Sequence, residues 1–490
     1  MEKIVLIMYA MPLAFIFSYS LVQLNLVINY LRFQRKSIPP SPILNRSEVP
    51  YVTIQLPIYN ELYVVERLID AVSSIEYPPN RLEIQVLDDS TDETIELVAQ
   101  KIAEWQKKGI DIQQIRRTNR QGYKAGALSE GLKTAKGEFI AIFDADFIPK
   151  SNFLTITIPY FNTPNIGVVQ TRWTHINEKY SLLTQLQAFG LDAHFSIEQS
   201  GRIEGGYFIN FNGTAGLWRK TCINDAGGWH SDTLTEDLDL SYRAQLNGWK
   251  FVYLQQIESP AELPVEISAL KSQQFRWMKG AAECARKHII NVLKAPNLSI
   301  GAKIHGFFHL TNSTAFICAL WLSVLSVPIL WVKNHHPEYR NVFLLTSLFQ
   351  YSLVILGVFY WVSFRHRQDW VTFFWQFPLF LSFMMGLSLH NAIAVIEGFI
   401  GKKTPFIRTP KFNIKIQTDK WIRNKYIAKK LSWEVFIEGF LALYFLGAIS
   451  MAYILQDFGL LPFHLILMLG FSSICGYSIR QTYLRKTYIS

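Results

Sequence analysis

Two hydrophobic patterns divide this chain. Between residues 51 and 172, short apolar runs alternate with stretches in which apolar residues recur at helical spacing. The candidate strands are Tyr51–Ile58, Glu83–Leu87, Ile110–Ile115, Phe139–Phe143 and Gly167–Thr171, and the candidate helices are 61–75, 92–108 and 123–135. Strand–helix alternation predicts a mostly parallel, three-layer α/β sheet. Such sheets bind ligands at the carboxyl ends of their strands, so the loops that follow these strands are candidate sites.

Long charge-free runs flank this region on both sides. They cover 4–31, 310–332, 341–364, 370–396 and 458–479, and a sixth run, 439–456, has acids only at its flanks. Each is long enough, or nearly so, to cross a hydrocarbon core of about 30 Å as a helix. Buried core helices are the alternative interpretation, but such helices are rarely this long and this free of charge. No A-x-A cleavage site follows the first run, which we interpret as an uncleaved anchor.

The distribution of positive charge predicts the orientation of these runs. Arg32, Arg35 and Lys36 place the end of the first run in the cytoplasm, because cytoplasmic loops carry the excess of Lys and Arg. Residues 401–430 hold ten Lys or Arg against one acid, which is typical of a cytoplasmic segment facing anionic lipid. A crossing at 370–396 would put that segment outside. We therefore interpret 370–396 as an in-plane or re-entrant helix and expect five spans, although length alone favours six.

Composition narrows the class of protein. Charged residues make up 18% and apolar residues 50%, which suits one large soluble domain combined with membrane spans. Much of the net charge of +10 lies in 401–430, so we predict a lipid membrane as partner and no nucleic acid. The four cysteines have no paired spacing and fit reduced thiols. No Gly-x-Gly-x-x-Gly or Walker A sequence occurs, so neither a dinucleotide-binding fold nor a P-loop NTPase is favoured.

Acidic residues follow two of the candidate strands directly. Asp144 and Asp146 come after Phe139–Phe143 and project to the same side, and carboxylates bind Mg²⁺ together with phosphate oxygens. An Asp-rich turn is the ordinary alternative. Asp88 and Asp89 also end a strand, and a helix cap explains the Ser and Thr after them but not two adjacent acids. A carboxylate at this position could accept from a nucleobase N–H or act on the metal site.

Two further motifs lie between residues 235 and 280. Glu236 and Asp237 open a helical pattern, where acids are common as caps. Sugar transfer by direct displacement also needs a base near the acceptor hydroxyl, and Asp237 is the candidate. Gln273, Arg276 and Trp277 share one helix face. Arg pairs with diphosphates and Trp lies against sugar rings, whereas a membrane-surface helix with an interfacial Trp is the alternative.

Two loops are weaker candidates. Residues 122–127 are rich in small residues that permit close backbone approach, and Lys124 among them is long enough to reach a phosphate. A second candidate is a turn near the acceptor, formed by Phe211, Asn212, Gly213 and Thr214. An ordinary loop remains the alternative for both segments.

In order and spacing these motifs resemble the family 2 processive glycosyltransferases. These include cellulose synthase and, more similar to this chain, the cellulose-synthase-like A and C proteins that make β-mannan, glucomannan or glucan backbones. The matching stretches run from 55 to 280 and are QLPIYNE, QVLDDSTDETIELV, NRQGYKAGALSEGLK, AIFDADFIPKSNFL, LDAHFSIEQ, FNGTAGLWRK, TEDLDLSYRAQLNGWKFVYL and QQFRWMKG.

The resemblance implies a GT-A fold, which is Rossmann-like with a mostly parallel sheet, and inversion at the anomeric carbon. The implied nucleotide-sugar-binding residues are Pro57, Tyr59, Glu61, Asp88, Asp89, Lys124, Asp144, Asp146 and Arg276, with Asp144 and Asp146 holding Mg²⁺ or Mn²⁺. The implied catalytic residues are Glu236 and Asp237, with Asp237 as base. The implied acceptor-binding residues are Phe211, Asn212, Gly213, Thr214, Gln273 and Trp277.

A further similarity lies beyond residue 400. Residues 406–411 resemble the family's gating loop, F-x-V-T-x-K, through Phe406, Thr409 and Lys411. Arg408 replaces the usual Val, which leaves the packing of such a gate open. The expected domains are an anchor at 1–36, a cytoplasmic GT-A domain at 45–290 and a C-terminal membrane region at 300–490. That region has spans at 310–332, 341–364, 434–456 and 458–479, an interface helix at 370–400 and a gating-loop-like segment at 401–430.

Two activities fit this sequence. One is processive elongation of a β-linked glycan from GDP-mannose or UDP-glucose, coupled to passage of the product across the membrane. The other is a single transfer to a membrane lipid, as in ceramide or polyprenyl-phosphate transferases. A membrane sensor that binds a nucleotide sugar without catalysis is a third, weaker alternative. The expected location is a plasma, inner or Golgi-type membrane, with the catalytic domain in the cytoplasm.

Overall fold

A computed structural model of the chain describes residues 2–36, 49–367, 369–421, 424–426 and 431–489. Within these residues one sheet of seven strands forms, in the order β3-β2-β1-β4-β6-β5-β7. Strands β1 to β4 pair in parallel, β6 runs antiparallel to both of its neighbours, and β7 is parallel to β5. The predicted mostly parallel α/β sheet is therefore confirmed.

The strands are β1 Val52–Ile58, β2 Leu82–Asp88, β3 Ile112–Ile115, β4 Phe139–Ile142, β5 Ile166–His175, β6 Gly216–Arg219 and β7 Lys250–Ala261. The helices of this region are α2 Val65–Ser73, α3 Thr94–Gln106, α4 Tyr123–Thr134, α5 Phe153–Thr157, α6 Leu182–Ala193, α7 Gln199–Gly205, α8 Lys220–Asp225 and α9 Glu236–Leu246. Each predicted strand lies within a few residues of its predicted bounds, except that β5 continues to His175. The sequence patterns did not predict β6 or β7, since β6 has only four residues and β7 is interrupted by polar positions.

Burial explains why the central strands form where they do. Strand β2 is buried along its whole length, and β1 is buried at every position except Pro57. Their apolar residues alternate with polar ones that are also buried and that pair between the strands, as Thr53 does with Glu83. Their carboxyl ends meet at one edge, so the loops after β1, β2 and β4 lie side by side.

Among the described residues, five helical segments are long and apolar enough to cross a membrane. They are α1 Glu2–Arg35, α12 Thr314–His335, Pro337–Phe364, α17 Glu434–Leu455 and the part of α18 (Leu461–Ile489) that ends at Tyr483. The segment Pro337–Phe364 is not one helix, because it includes α13 Arg340–Thr346 and α14 Tyr351–Phe364 joined by a short 3-10 turn. The chain is thus a membrane protein as well as an α/β protein.

The run predicted as an in-plane or re-entrant helix is bent. It consists of α15 Trp370–Gly386 and α16 Ser388–Ile400, which meet at an angle of 50°, so a count of six spans is reached if the pair is one span. Helix α15 packs on α18, whereas α16 packs on α10 Ile267–Lys294. Helix α11 Ile300–Leu310 then connects α10 to the membrane helices.

Buried ionic contacts join α10 to the membrane helices. Lys271 Nζ lies 2.6 Å from Glu438 Oε1 on α17, and both side chains are buried. His390 on α16 bridges the same elements, with Nδ1 2.7 Å from Glu434 and Nε2 2.9 Å from the Lys271 carbonyl oxygen. These contacts hold α10 against the first turns of α17.

Between α16 and α17 the chain lies over the sheet edge. We call residues 404–421 and 424–426 the strap. The interpretation of this basic segment as lipid-facing is wrong for Arg408, Lys411 and Lys425, which pair with Glu61, Asp146 and Glu93 of the α/β domain. Arg423, Lys429 and Lys430, part of the same prediction, lie outside the described residues, as do 37–48 at the predicted start of the domain.

Candidate active site

One cavity lies at the carboxyl ends of β1, β2 and β4, beneath the strap. Among its lining residues are 17 of those singled out from the sequence: Pro57, Tyr59, Glu61, Asp89, Lys124, Asp144, Asp146, Asn212, Gly213, Glu236, Asp237, Gln273, Arg276, Trp277, Phe406, Thr409 and Lys411. Acids that are up to 176 positions apart in the chain, from Glu61 to Asp237, therefore share one site, together with the Arg and Trp of α10.

Three singled-out residues lie behind the cavity rather than on its wall. Asp88 is buried and accepts hydrogen bonds from the Ser90 N–H at 2.8 Å and from Gln114 Nε2 at 2.7 Å. Phe211 is in the core, edge-on to the Trp218 ring. Thr214 Oγ1 accepts from the Asp144 N–H at 2.9 Å. The structure thus gives these side chains contacts that support the wall.

Asp89 lines the cavity and is held by Arg117, a residue that the sequence reading missed. Arg117 donates from Nε to Asp89 Oδ1 at 2.9 Å, and its NH2 group pairs with Oδ2. The same guanidinium donates to the carbonyl oxygens of Gln121 and Tyr123, which lead into α4. Arg117 therefore ties the loop after β3 to the end of β2. The pair of arginines in the sequence RRTNR was the available signal.

Arg120 is a second residue that the sequence reading missed. Its guanidinium lies 3.3 Å from the centre of the Tyr59 ring and 5.0 Å from that of Tyr123. Trp173 of β5 also lines the cavity and packs edge-on against Phe147. Arg120 lies in the stretch NRQGYKAGALSEGLK but was not proposed as a site residue, and Trp173 belongs to no motif, so only the fold identifies their place in the cavity.

The two carboxylates after β4 are each paired with a lysine. Lys124 Nζ lies 2.6 Å from Asp144 Oδ1, and Lys411 Nζ lies 2.7 Å from Asp146 Oδ2. Burial raises the pKa of Asp144, and the nearby Asp146 carboxylate adds to this rise against the opposing effect of Lys124. Two cavity-lining carboxylates two positions apart are oxygen donors of the kind that divalent ions such as Mg²⁺ and Mn²⁺ prefer.

Asp237 has the environment of a base. Its carboxyl is partly buried in the cavity wall, and desolvation together with repulsion from Glu236 raises the pKa of Asp237 to about 7. Lys124 reaches this side of the cavity too, since its Nζ lies 3.7 Å from Glu236 Oε1 and donates to the Gly213 carbonyl oxygen at 2.9 Å. A carboxyl with a pKa near neutrality accepts a proton effectively at physiological pH.

The turn opposite Asp237 leaves no room for a side chain. Gly213 has a φ of +76°, and a Cβ there would lie 3.0 Å from Asp237 Oδ2. Gln170 holds this turn from behind, because its Nε2 donates to the Thr214 and Ala215 carbonyl oxygens and its Oε1 accepts from the Asn212 N–H. The glycine thus permits the approach of the turn to the candidate base.

Helix α9, which carries Asp237, is anchored to α10, which carries Arg276 and Trp277. Asp239 accepts from His288 Nε2 at 2.7 Å and lies 2.7 Å from Lys287 Nζ. His230, Asp232 and Asp239 are close enough to hold a metal ion, but Lys287 pairs with both acids there. We therefore assign this group to the α9–α10 contact and not to metal binding.

Together, the sheet and this cavity define the class of the protein, a glycosyltransferase with a GT-A fold. The mannosyltransferase PcManGT from Pyrobaculum calidifontis, solved in complex with GDP-Man and Mn²⁺, has a similar fold, with a TM-score of 0.52 at 17% identity. The match covers 81% of this chain and all of that one.

Sequence comparison then gives the family. Residues 50–280 match the family described as "Glycosyltransferase like family 2". The chain is 34% identical to glucomannan 4-beta-mannosyltransferase 7 of Arabidopsis thaliana over 434 residues, which cover 84% of this chain and 76% of the relative. It therefore belongs to the cellulose-synthase-like branch of the family 2 glycosyltransferases.

A second relative is more similar in sequence, over a shorter alignment. The chain is 44% identical over 292 residues to the probable glucomannan 4-beta-mannosyltransferase 7 of Oryza sativa subsp. japonica. That alignment covers 58% of this chain and spans half the length of the relative.

Proposed function

We propose that this enzyme transfers hexosyl units from a nucleotide sugar to a growing β-linked glycan, with inversion at the anomeric carbon. The observation that carries the proposal is the shared cavity of Asp237, Asp144, Asp146 and Arg276. The names of the plant relatives favour mannose, so GDP-mannose is the first donor to test and UDP-glucose the second. Mannosyl transfer by this chain rests on that likeness.

The reaction follows from the positions of the charges. The acceptor hydroxyl oxygen attacks the anomeric carbon, the bond from that carbon to the diphosphate breaks, and the nucleoside diphosphate leaves. Asp237 takes the hydroxyl proton as the new bond forms, which its pKa of about 7 permits. Trp277 offers an aromatic face to the acceptor sugar from the same side of the cavity.

The leaving diphosphate carries negative charge that the cavity is equipped to meet. Arg276 and Lys124 line the wall near the carboxylates after β4, and guanidinium groups pair well with phosphate oxygens. Asp144 and Asp146 would hold a divalent cation there. Bound there, the ion would supply positive charge to offset that of the diphosphate.

For the membrane part, we infer five spans with the catalytic domain in the cytoplasm. Arg32, Arg35 and Lys36 at the end of α1 support this orientation. The α15–α16 pair is then a broken helix whose second half lies against α10 on the cytoplasmic side. The contact of α10 with both α16 and α17 supports an acceptor side of the cavity next to the bundle, and with it passage of the product through the bundle.

The experiment incubates the purified full chain with radiolabelled GDP-mannose or UDP-glucose and with Mg²⁺ or Mn²⁺. Polymeric product that grows with time on a gel supports processive elongation. A single labelled lipid supports the alternative of one transfer to a membrane lipid. If no nucleotide is released from GDP-mannose or from UDP-glucose, the proposed donors are contradicted.

A further inference from the structure

The strap is fastened to the cavity by an ion pair that the resemblance did not lead us to expect. Arg408 donates from Nε to Glu61 Oε1 at 2.8 Å and from NH2 to Glu61 Oε2 at 3.0 Å. Both side chains are about nine-tenths buried. Position 408 is the one at which the gating-loop pattern has Val, so this contact replaces apolar packing with a two-point charged contact.

The residues beside Arg408 depend on this attachment. Thr409 Oγ1 accepts from Arg276 NH2 at 3.1 Å, and Lys411 pairs with Asp146. Phe406 stacks on Tyr123 with ring centres 5.7 Å apart. These three residues lie within three positions of Arg408, so the Arg408–Glu61 pair is adjacent in the chain to each of their contacts.

A second attachment lies further along the strap. Lys425 Nζ is 2.7 Å from Glu93 Oε2, and the Tyr426 hydroxyl donates to Asp92. The Arg408 guanidinium lies 4.4 Å from the centre of the Tyr426 ring, so the two attachments are in contact. The Lys425–Glu93 pair is exposed and contributes little by itself. The buried pair is therefore the stronger of the two.

The charges also favour pairing at this position. The cavity wall carries six carboxylates, from Glu61, Asp89, Asp144, Asp146, Glu236 and Asp237. Two of its cations, Arg408 and Lys411, come from the strap. Burial raises the pKa of Glu61 to about 7, and Arg408 opposes that rise. A buried carboxylate that loses its partner is costly, so removing Arg408 leaves an unpaired acid under the strap.

We propose that Arg408, through Glu61, is the positioning residue that seats the strap on the cavity and thereby places Thr409 and Lys411 at the site. The seating itself rests on the contacts above. Its consequence for turnover rests on the proposed function. The two are tested by separate measurements, so failure of one is distinguishable from failure of the other.

The first measurement follows lifting of the strap without any substrate. Ile414 is 1% exposed and packs against Val265 and Phe412. In an Ile414→Cys background, a membrane-impermeant maleimide reacts with the new thiol only when the strap lifts. Labelling of each cysteine is read by peptide mass spectrometry in the full chain. The native Cys222 and Cys284, both fully buried, report whether the domain stays folded.

We expect Arg408→Glu and Glu61→Arg each to speed labelling at position 414 by at least about tenfold, because like charges then face each other. The double reversal restores an ion pair, and we expect its rate within about threefold of the parent. Lys420→Glu reverses an exposed strap lysine and serves as the matched control, with an unchanged rate. A double reversal as fast as the single reversals, or single reversals at the parent rate, overturns the proposal.

Arg408→Met covers the case in which a charge reversal unfolds the domain and exposes Cys222. It removes the charge without adding a new one, and we expect faster labelling at 414 while Cys222 and Cys284 stay protected. Slow labelling in this variant overturns the proposal.

The second measurement uses turnover. A lifted strap withdraws Thr409 and Lys411 from the donor, so we expect Arg408→Met to raise the donor KM about tenfold while kcat stays within about threefold. Loss of general stability would instead lower the amount of active enzyme and leave KM unchanged. An unchanged KM together with fast labelling contradicts the placement of Thr409 and Lys411 by Arg408.

Discussion

The floor of the cavity consists of the loops that leave the sheet at β1, β2 and β4, the turn at Gly213 and the start of α9, whereas its roof is the strap, in which the described residues form neither helix nor strand. Asp144 follows strand β4, and the first turn of α9 holds Asp237 in the floor. Side-chain contacts such as Arg408–Glu61 and Arg276–Thr409 hold the roof. A floor built on backbone hydrogen bonds is rigid, and a roof held by a few side chains opens at lower cost.

The difference has a consequence for substitutions. Changes in the floor should remove chemistry and leave the roof in place, and changes in the roof should alter binding and leave the chemical step nearly intact. Four variants or conditions test this division.

The largest effect is expected for Asp237→Asn in the floor. The amide cannot accept the hydroxyl proton, so we expect kcat to fall by about 10³-fold with nucleotide binding nearly unchanged. Single-turnover kinetics and nucleotide titration measure the two quantities. Retained turnover would remove Asp237 as the base.

We expect Gly213→Ala to lower kcat/KM about 30-fold. The Cβ of the alanine would press on the Asp237 carboxylate, and the φ of +76° at this position is unfavourable for alanine. Gly228→Ala is the matched control, since Gly228 has a φ of +78° with nothing near its Cβ position. Equal losses in the two variants would assign the effect to backbone strain alone.

The dependence of the rate on pH distinguishes ionisation of Asp237 in the floor from ionisation of Glu61 in the roof contact. A base works when ionised, so with the pKa of Asp237 at about 7 the rate should fall about tenfold per unit as pH drops below 7. Glu61 in the roof contact also has a pKa of about 7 and would add a loss of the same sign, through release of Arg408. Glu61→Gln removes that titration. If the acid limb of kcat disappears in this variant, the limb belongs to the roof and not to Asp237.

The smallest effect is expected for Thr409→Val. It removes one hydrogen bond from Arg276 and preserves the shape of the side chain, so we expect about a threefold rise in donor KM. Steady-state kinetics with the donor measure it. A large fall in kcat from this change would show that the roof takes part in the chemical step.

The difference between the floor and the roof of the cavity also explains which parts of the site could be predicted from the sequence. Strands β1, β2 and β4 and the acids after them were predictable, because apolar residues recur along these short segments and the sheet brings their ends together. Arg117, Arg120 and Trp173 were not, since each acts through contacts between segments distant in sequence or between a side chain and a ring. Position 408 was noticed only as a departure from a pattern. Its partner Glu61 lies 347 residues away, and no local rule connects the two.

The Lys271–Glu438 contact described above has one more implication. It lies two positions before Gln273 and six before Trp277 on the same continuous helix, so a buried ionic contact joins the helix that carries these two residues to the first turns of α17. Under the proposed function, a product leaving this helix towards the bundle would therefore cross no break in the helix. Forward movement of the sugars by one unit would then have to come from the sugars themselves or from the strap.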